Sequence, residues 1–252
     1  MTPPPPVDPA PQHDLSEALA ALHESEQQLL RTVDSLRPDD YREASVLPGW
    51  SRAHVVAHLA LNAEGLARAV DGVAHGHDVP VYESDARRDA DIEELAQAEP
   101  AEIRERLFAA GQALRDALAL LDGDQWASNI LRVPDGPRWA LAAVPDTRRR
   151  EVEIHHADLD AGHGPGEWPA DFAIALLDLV TADRAADPDS PTFSVRATDT
   201  IQTWGVGAEQ PVVEGTAADL AWWLVGRGSG QGLTVDAGEL PRLGPWRRIP
   251  VK

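Results

Sequence analysis

Two short stretches of this sequence set imidazoles and a carboxylate where they could share one ion. In Arg148-Arg149-Arg150-Glu151-Val152-Glu153-Ile154-His155-His156-Ala157-Asp158-Leu159, Glu151 and His155 stand at i and i+4, so on a helix they occupy one face. A carboxylate and an imidazole one turn apart can chelate a single divalent metal. Glu153 and Ala157 point elsewhere, and His156 lies about 100° round from His155. The spacing by itself is a weak signal, because such a pair also serves as a surface hydrogen bond. The second stretch, Arg52-Ala53-His54-Val55-Val56-Ala57-His58-Leu59, again holds two histidines one turn apart. His58 sits among Val55, Leu59 and Leu61, where an unpaired imidazole is costly. Bundles build metal sites by adding a ligand from a facing helix, and either His54 or His58 could be that ligand. Three protein ligands leave one position open, which suits catalysis; with both histidines bound the shell would be closed.

Composition narrows the chemistry around such a site. Among 252 residues there is no cysteine, which excludes a disulfide scaffold, a thiolate metal site and a cysteine nucleophile. Sulfur chemistry would therefore need a bound small thiol. The formal net charge of -20 argues against nucleic acid and anionic membrane as partners. An anionic substrate would then need local arginines. Residues 2–12 (TPPPPVDPAPQ) are Pro-rich and polar, without the basic-then-apolar pattern of a secretory signal, and are expected to be disordered. No apolar run reaches the length of a membrane span. The expected setting is the cytoplasm, and the expected state a monomer.

The elements that must carry the ligands follow from apolar periodicity. Leu15, Leu19, Leu22, Leu29, Val33 and Leu36 mark a first helix over Asp14–Leu36, ended by Arg37-Pro38. A second opens with Ser51 as N-cap and stops at Asp71-Gly72. Residues 74–99 read as a long connection with a short helix from Ala90 to Ala98. A third long helix spans Ala101–Leu121. Trp126–Pro145 reads as irregular or as a hairpin around Pro134-Asp135-Gly136. A fourth helix runs from Pro145 to Gly162. Four helices of similar length, each with one apolar stripe, suggest a four-helix bundle over residues 13–164. Gly162–Gly166 is the expected boundary. Beyond it, residues 165–252 mix a helix over Pro169–Ala186, strands at Thr192–Ala197, at Thr200–Trp204 and before Gly215, a helix over Thr216–Val225 and a strand at Leu233–Asp236. That order predicts a smaller α+β domain, and an α+β class for the whole chain.

The lead-in Leu47-Pro48-Gly49-Trp50-Ser51, the Ala57-His58-Leu59 element and the string Glu151 to Leu159 resemble the mycothiol-dependent maleylpyruvate isomerase family. Order and separation of these segments match as well, over nearly the whole chain. The N-terminal domain of that family belongs to the wider DinB-like bundle superfamily. The resemblance implies zinc held by His58, Glu151 and His155, with the glycosidic thiol mycothiol as cosubstrate. His54 falls where many relatives carry a non-ligand. The resemblance also implies one arginine from the first long connection and one from the C-terminal domain, closest to Arg88 and Arg227, to hold the carboxylates of a dianionic substrate. Arg87 is a neighbouring candidate, and Trp222, with Trp223, could wall the cleft.

The chemistry so implied is addition of a metal-stabilised thiolate to the C=C bond of maleylpyruvate, rotation in the enolate, and elimination to fumarylpyruvate. Three alternatives share the elements. A mycothiol S-transferase would attach the thiol permanently to an electrophile. A non-catalytic metal-binding regulatory module would carry a damaged ligand set or a closed shell. A zinc hydrolase would need Glu153 or Asp158 as base, and the helix phase aims neither clearly at the metal.

Overall fold

The structure is a computed structural model and describes residues 14–246. The expected disordered leader, residues 1–12, lies outside them. The packing of the backbone divides the chain into two compact units between His163 and Gly164.

The first unit is a bundle of four long helices: α1 (Leu15–Ser35), α2 (Arg52–Ala74), α4 (Pro100–Leu120) and α5 (Val144–Asp158). A shorter helix, α3 (Asp85–Ala96), lies in the connection between α2 and α4. Local chemistry sets the starts. The Asp14 carboxylate accepts from the Ser16 N–H at 2.8 Å, and the Ser84 hydroxyl accepts from the Arg87 N–H at 3.0 Å. Pro100 opens α4, where its missing N–H costs nothing. The hairpin expected in the Trp126–Pro145 stretch is present as β1 (Asn129–Leu131) against β2 (Arg138–Ala140), and Asp135 takes the left-handed conformation its tip requires, at φ 60°.

Helix α2 is the axis of this unit. Val55, Val56, Ala57, Leu59 and Ala60 are all fully buried, so most of its circumference is covered by protein. It runs past the expected stop at Gly72. Gly65 and Gly72 act instead as contact points: an added Cβ would stand 2.6 Å from the Val81 carbonyl oxygen and 2.9 Å from the Val79 side chain. The absence of side chains there lets the connection after α2 lie flat on the helix, which fixes Tyr82 and the start of α3.

Two apolar clusters fill the unit, one around Leu29, Val55, Leu59, Ile103 and Val152, the other around Leu66, Val70, Leu114, Ile130 and Leu141. Between them along α2 and α5 falls a buried polar belt. Arg148 donates to the Leu59 carbonyl (2.9 Å), to Asn62 Oδ1 (2.8 Å) and to Glu26 Oε1 (3.3 Å). Asn62 in turn donates to the Tyr82 hydroxyl at 3.2 Å. Burying such a charge is tolerable only with this many partners.

The second unit holds α6 (Ala170–Ala186), β3 (Phe193–Ala197), β4 (Thr203–Gly215), α7 (Ala217–Leu224) and β5 (Thr234–Val235), with sheet order β3-β4-β5. The two strands expected at Thr200–Trp204 and before Gly215 are one bent strand. Its register shows the bend: Val195 faces Trp204 and also Val213, and Arg196 faces Thr203 and also Glu214. The first arm of β4 therefore runs against β3 and the second arm alongside it, with Gly207 at φ 72° making the turn. Across both units the chain is α+β, with the bundle first and the smaller mixed unit after it.

Candidate metal centre

Glu151 and His155 share one face of α5, and α2 brings His58 opposite them. His58 Nε2 lies 2.9 Å and His155 Nε2 3.4 Å from the same oxygen, Glu151 Oε2. One ligand atom from each of the three residues falls within 4.8 Å of the others, and among the described residues this is the one such cluster of histidine and acidic side chains. Bonds of about 2.0–2.1 Å to a tetrahedral ion put ligand atoms about 3.3 Å apart, so the donor set fits zinc in size as well as in chemistry. The His58 side chain is 4% exposed, that of His155 15% and that of Glu151 32%, so the cluster is closed on the α2 side and opens past the carboxylate.

His54 stands outside the cluster. Its Nδ1 pairs with the Ser51 hydroxyl at 2.7 Å and with the Ser51 N–H at 3.2 Å, completing a cap at the start of α2, and its Nε2 meets Glu93 Oε2 at 3.1 Å. The choice between the two histidines is thus made by helix phase: His58 lies one turn further along α2, where α5 crosses.

The three groups perturb one another. Burial pushes the His58 imidazole down to about 4, helped by the neighbouring His155, against the pull of Glu151. Burial also acts against a charge on His155, yet its bonds to Asp158 and Glu151 outweigh it and raise its pKa. For Glu151, burial favours the neutral acid, but the hydrogen bonds to His155 and His58 prevail and hold it well below the ordinary carboxylate range. One carboxylate thus serves an imidazole that stays neutral and another that protonates readily.

Residues around the cluster complete it. The buried Asp158 carboxylate accepts from His155 Nδ1 at 2.9 Å, which orients the ring. Trp50 packs 5.8 Å from the His58 ring centroid and 6.0 Å from that of His54. Arg88 Nη2 donates to His58 Nδ1 at 3.1 Å, and its guanidinium lies 5.7 Å from the centroid of Tyr82. Burial opposes its charge, but Tyr82 and Glu151 more than offset this and raise its pKa. Arg87, by contrast, points outward and pairs with Asp91 at 2.7 Å. Sequence reasoning did not single out Trp50, Tyr82 or Asp158 for these positions. The Pro-Gly-Trp lead-in and the i+3 spacing of Asp158 from His155 were the available signals.

In the second unit, Arg227 is half-buried and donates to the Val225 carbonyl at 3.4 Å. Trp223 is core, packed 5.4 Å from Phe193. Trp222 is half-buried, edge-on to Trp168 at 5.7 Å, and lines a pocket of about 480 Å³ with Asp219 and the glycine-rich loop at 228–232.

A helical bundle with an open His-Glu-His face, followed by a small α+β unit, defines a two-unit protein with a candidate metal centre. The chain matches the model of the mycothiol maleylpyruvate isomerase N-terminal domain over residues 22–160, and that of the accompanying C-terminal domain over 167–245. It belongs to this family. Among solved structures it is similar to the mycothiol-dependent maleylpyruvate isomerase, with a TM-score of 0.86 and 24% identity over 93% of this chain and 98% of that one. A histidine-to-alanine mutant of that enzyme gives the same values. YfiT from Bacillus subtilis, described as a probable metal-dependent hydrolase with an unusual four-helix bundle topology, is similar at a TM-score of 0.51 and 14% identity, over 62% of this chain and 89% of that one. A search of curated proteins returns no match. Among the described residues, no helix is long and apolar enough to cross a membrane.

Proposed function

We propose that this chain is a zinc- and mycothiol-dependent cis–trans isomerase of the maleylpyruvate type, with His58, Glu151 and His155 as the metal ligands. The observation that carries the reading is the convergence of these three side chains with Arg88 at their edge, in a chain of this family. Zinc held by these residues would supply a Lewis acid that lowers the pKa of a bound thiol.

The chain's own groups do the rest. Asp158 holds the His155 ring by its Nδ1–H. The two imidazoles keep Glu151 ionised. Trp50 covers His58 from the side and limits water there. Arg88 supplies a permanent cation for a substrate carboxylate, and we assign a second such role to Arg227, with Trp222 beside the bound thiol. The thiolate sulfur forms a bond to one alkene carbon, and the π electrons move onto the conjugated carbonyl as an enolate. The former double bond turns as a single bond. Collapse of the enolate expels the thiolate and leaves the trans product, so thiol is returned and no redox partner is needed.

The test is metal analysis of the purified protein together with an assay of mycothiol plus maleylpyruvate. Stoichiometric zinc and fumarylpyruvate formed without loss of thiol are expected. Consumption of thiol into a stable adduct would replace the isomerase by an S-transferase on the same site. Full turnover after complete removal of metal would sink both.

A further inference from the structure

The candidate ligands come from two helices, and two arginines tie those helices together on either side of them. Arg148 precedes Glu151 by three residues and His155 by seven, so it shares their face of α5. Its guanidinium crosses to α2 and donates to the Leu59 carbonyl, next in the chain to His58, and to Asn62 Oδ1, one turn beyond His58. Arg52 makes the reverse crossing from the start of α2. It donates to the carbonyls of Leu159, at 2.7 Å, and of Asp160, where α5 ends. Along both helices the three ligands therefore lie between the two ties.

Three features suit these ties to setting a distance. Both end on main-chain carbonyls, so they locate helix backbones and not a mobile side chain. Both come from a guanidinium, a rigid planar fork that holds more than one acceptor at once. The Arg148 tie is also braced from outside the pair. Glu26 of α1 accepts from its Nε at 3.3 Å and from Arg115 Nη1 of α4 at 3.0 Å. All four long helices thus meet at one node, with Arg148 and Glu26 buried in it.

Stability alone does not call for such a node. A buried ion pair gives up so much hydration that apolar side chains of similar volume often serve a fold as well. A metal centre is more demanding, because its ligands must be held within about 0.5 Å of the productive geometry by the groups behind them. We propose that Arg148 and Arg52 are positioning residues of the metal centre: together they fix the separation and register of α2 against α5, and with them the geometry in which His58 meets Glu151 and His155. The proposal rests on the assignment of those three residues as ligands in the proposed function.

The experiment compares the full-length wild type with two variants: Arg148→Met combined with Glu26→Leu, and Arg52→Met. Each is measured for its urea midpoint, its zinc affinity by chelator competition, and the visible spectrum of the cobalt(II)-saturated protein. The double variant should unfold near the wild-type midpoint, bind zinc about ten-fold more weakly and show a shifted cobalt spectrum. Arg52→Met should shift the spectrum too, with about a five-fold loss of affinity that Arg52→Lys partly restores. If the double variant does not fold, Arg52→Met, at the edge of the bundle, decides alone. A wild-type cobalt spectrum at saturation in either folded variant would overturn the proposal, even with weaker binding, because a tie that only supports the fold leaves the saturated geometry unchanged. That result would leave the metal assignment standing, whereas a folded wild type that binds neither ion would end both.

Discussion

Helix α5 carries a carboxylate and an imidazole on each of two faces, and the faces have opposite fates. On one, Glu151 and His155 meet His58 across the groove and stay partly open. On the other, Glu153 is 1% exposed and accepts from the Ser25 hydroxyl at 2.5 Å, while His156 is 1% exposed and pairs with Thr32 Oγ1 at 2.7 Å. His156 also stacks on His163 at 3.6 Å between centroids, with the rings 2° from parallel. The side-chain types match; their surroundings differ. Hydroxyls from α1 and the ring of His163 cover the second face and make it part of the core, although the buried His156 Nδ1 has no hydrogen-bond partner among the described residues. The first face is bordered by a second imidazole and stays partly open, and that His-Glu-His donor set is what suits a cation. A polar pair on a buried helix becomes structural when the core closes over it and can take a ligand when it stays at an open edge.

Changes on the two faces should separate binding from stability. His58→Ala removes a ligand and should abolish stoichiometric zinc and lower thiol-dependent turnover by more than about 100-fold, judged by metal analysis and product formation. Secondary structure by circular dichroism should stay intact. On the other face, Glu153→Ala removes a buried, hydrogen-bonded carboxylate and leaves the Ser25 hydroxyl only the Ala21 carbonyl, at 3.0 Å, as acceptor. It should lower unfolding free energy by about 3 kcal/mol in urea melts, with zinc still bound in the folded protein. Loss of zinc without loss of stability would mean that the two faces are not separate.

Asp158→Asn tests the link behind His155. The amide can present its oxygen or its NH2 to Nδ1, so ring orientation is no longer secured, and zinc affinity should fall by about 10–100-fold in chelator competition. An effect on stability alone would place Asp158 with the structural face. The smallest effect is expected from Arg227→Ala, with about a ten-fold rise in KM or fall in turnover and unchanged metal content. Unchanged kinetics would remove Arg227 from the site.

Much of the bundle was legible along the chain because its helices are long and their apolar stripes regular. The caps at Asp14 and Ser51, and Pro100 at the head of α4, lie close to where local rules put them. Departures occurred where a contact from elsewhere overrode a local signal. Gly72, read as a stop, is a packing surface for the connection. In the second unit two strand signals belong to one strand, because the bend at Gly207 resembles a break in sequence. The site was legible to the level of one helix: Glu151 and His155 follow from the i,i+4 rule and Asp158 lies at i+3 from His155 on the same helix, whereas Trp50 and Tyr82 acquire their roles only through distances between elements.

The sequence by itself determined the donor inventory: no thiolate, Glu151 and His155 at i,i+4, His54 and His58 at i,i+4 in another segment, and arginines in the connection and the C-terminal region. It also carried the family in its motifs. Tertiary structure decided which of those groups meet. His54 and His58 are indistinguishable by spacing, and only the crossing of α2 and α5 sends one to Glu151 and the other to a cap. Glu151 and Glu153 are two residues apart on one helix, and only the packing of other elements over Glu153, Ser25 of α1 and His163 among them, makes one of them core. The physical reason is common to both cases. Periodicity fixes which residues share a face, but the partner across that face comes from another element, and the partner decides whether a polar group is closed into the core or left open to a ligand.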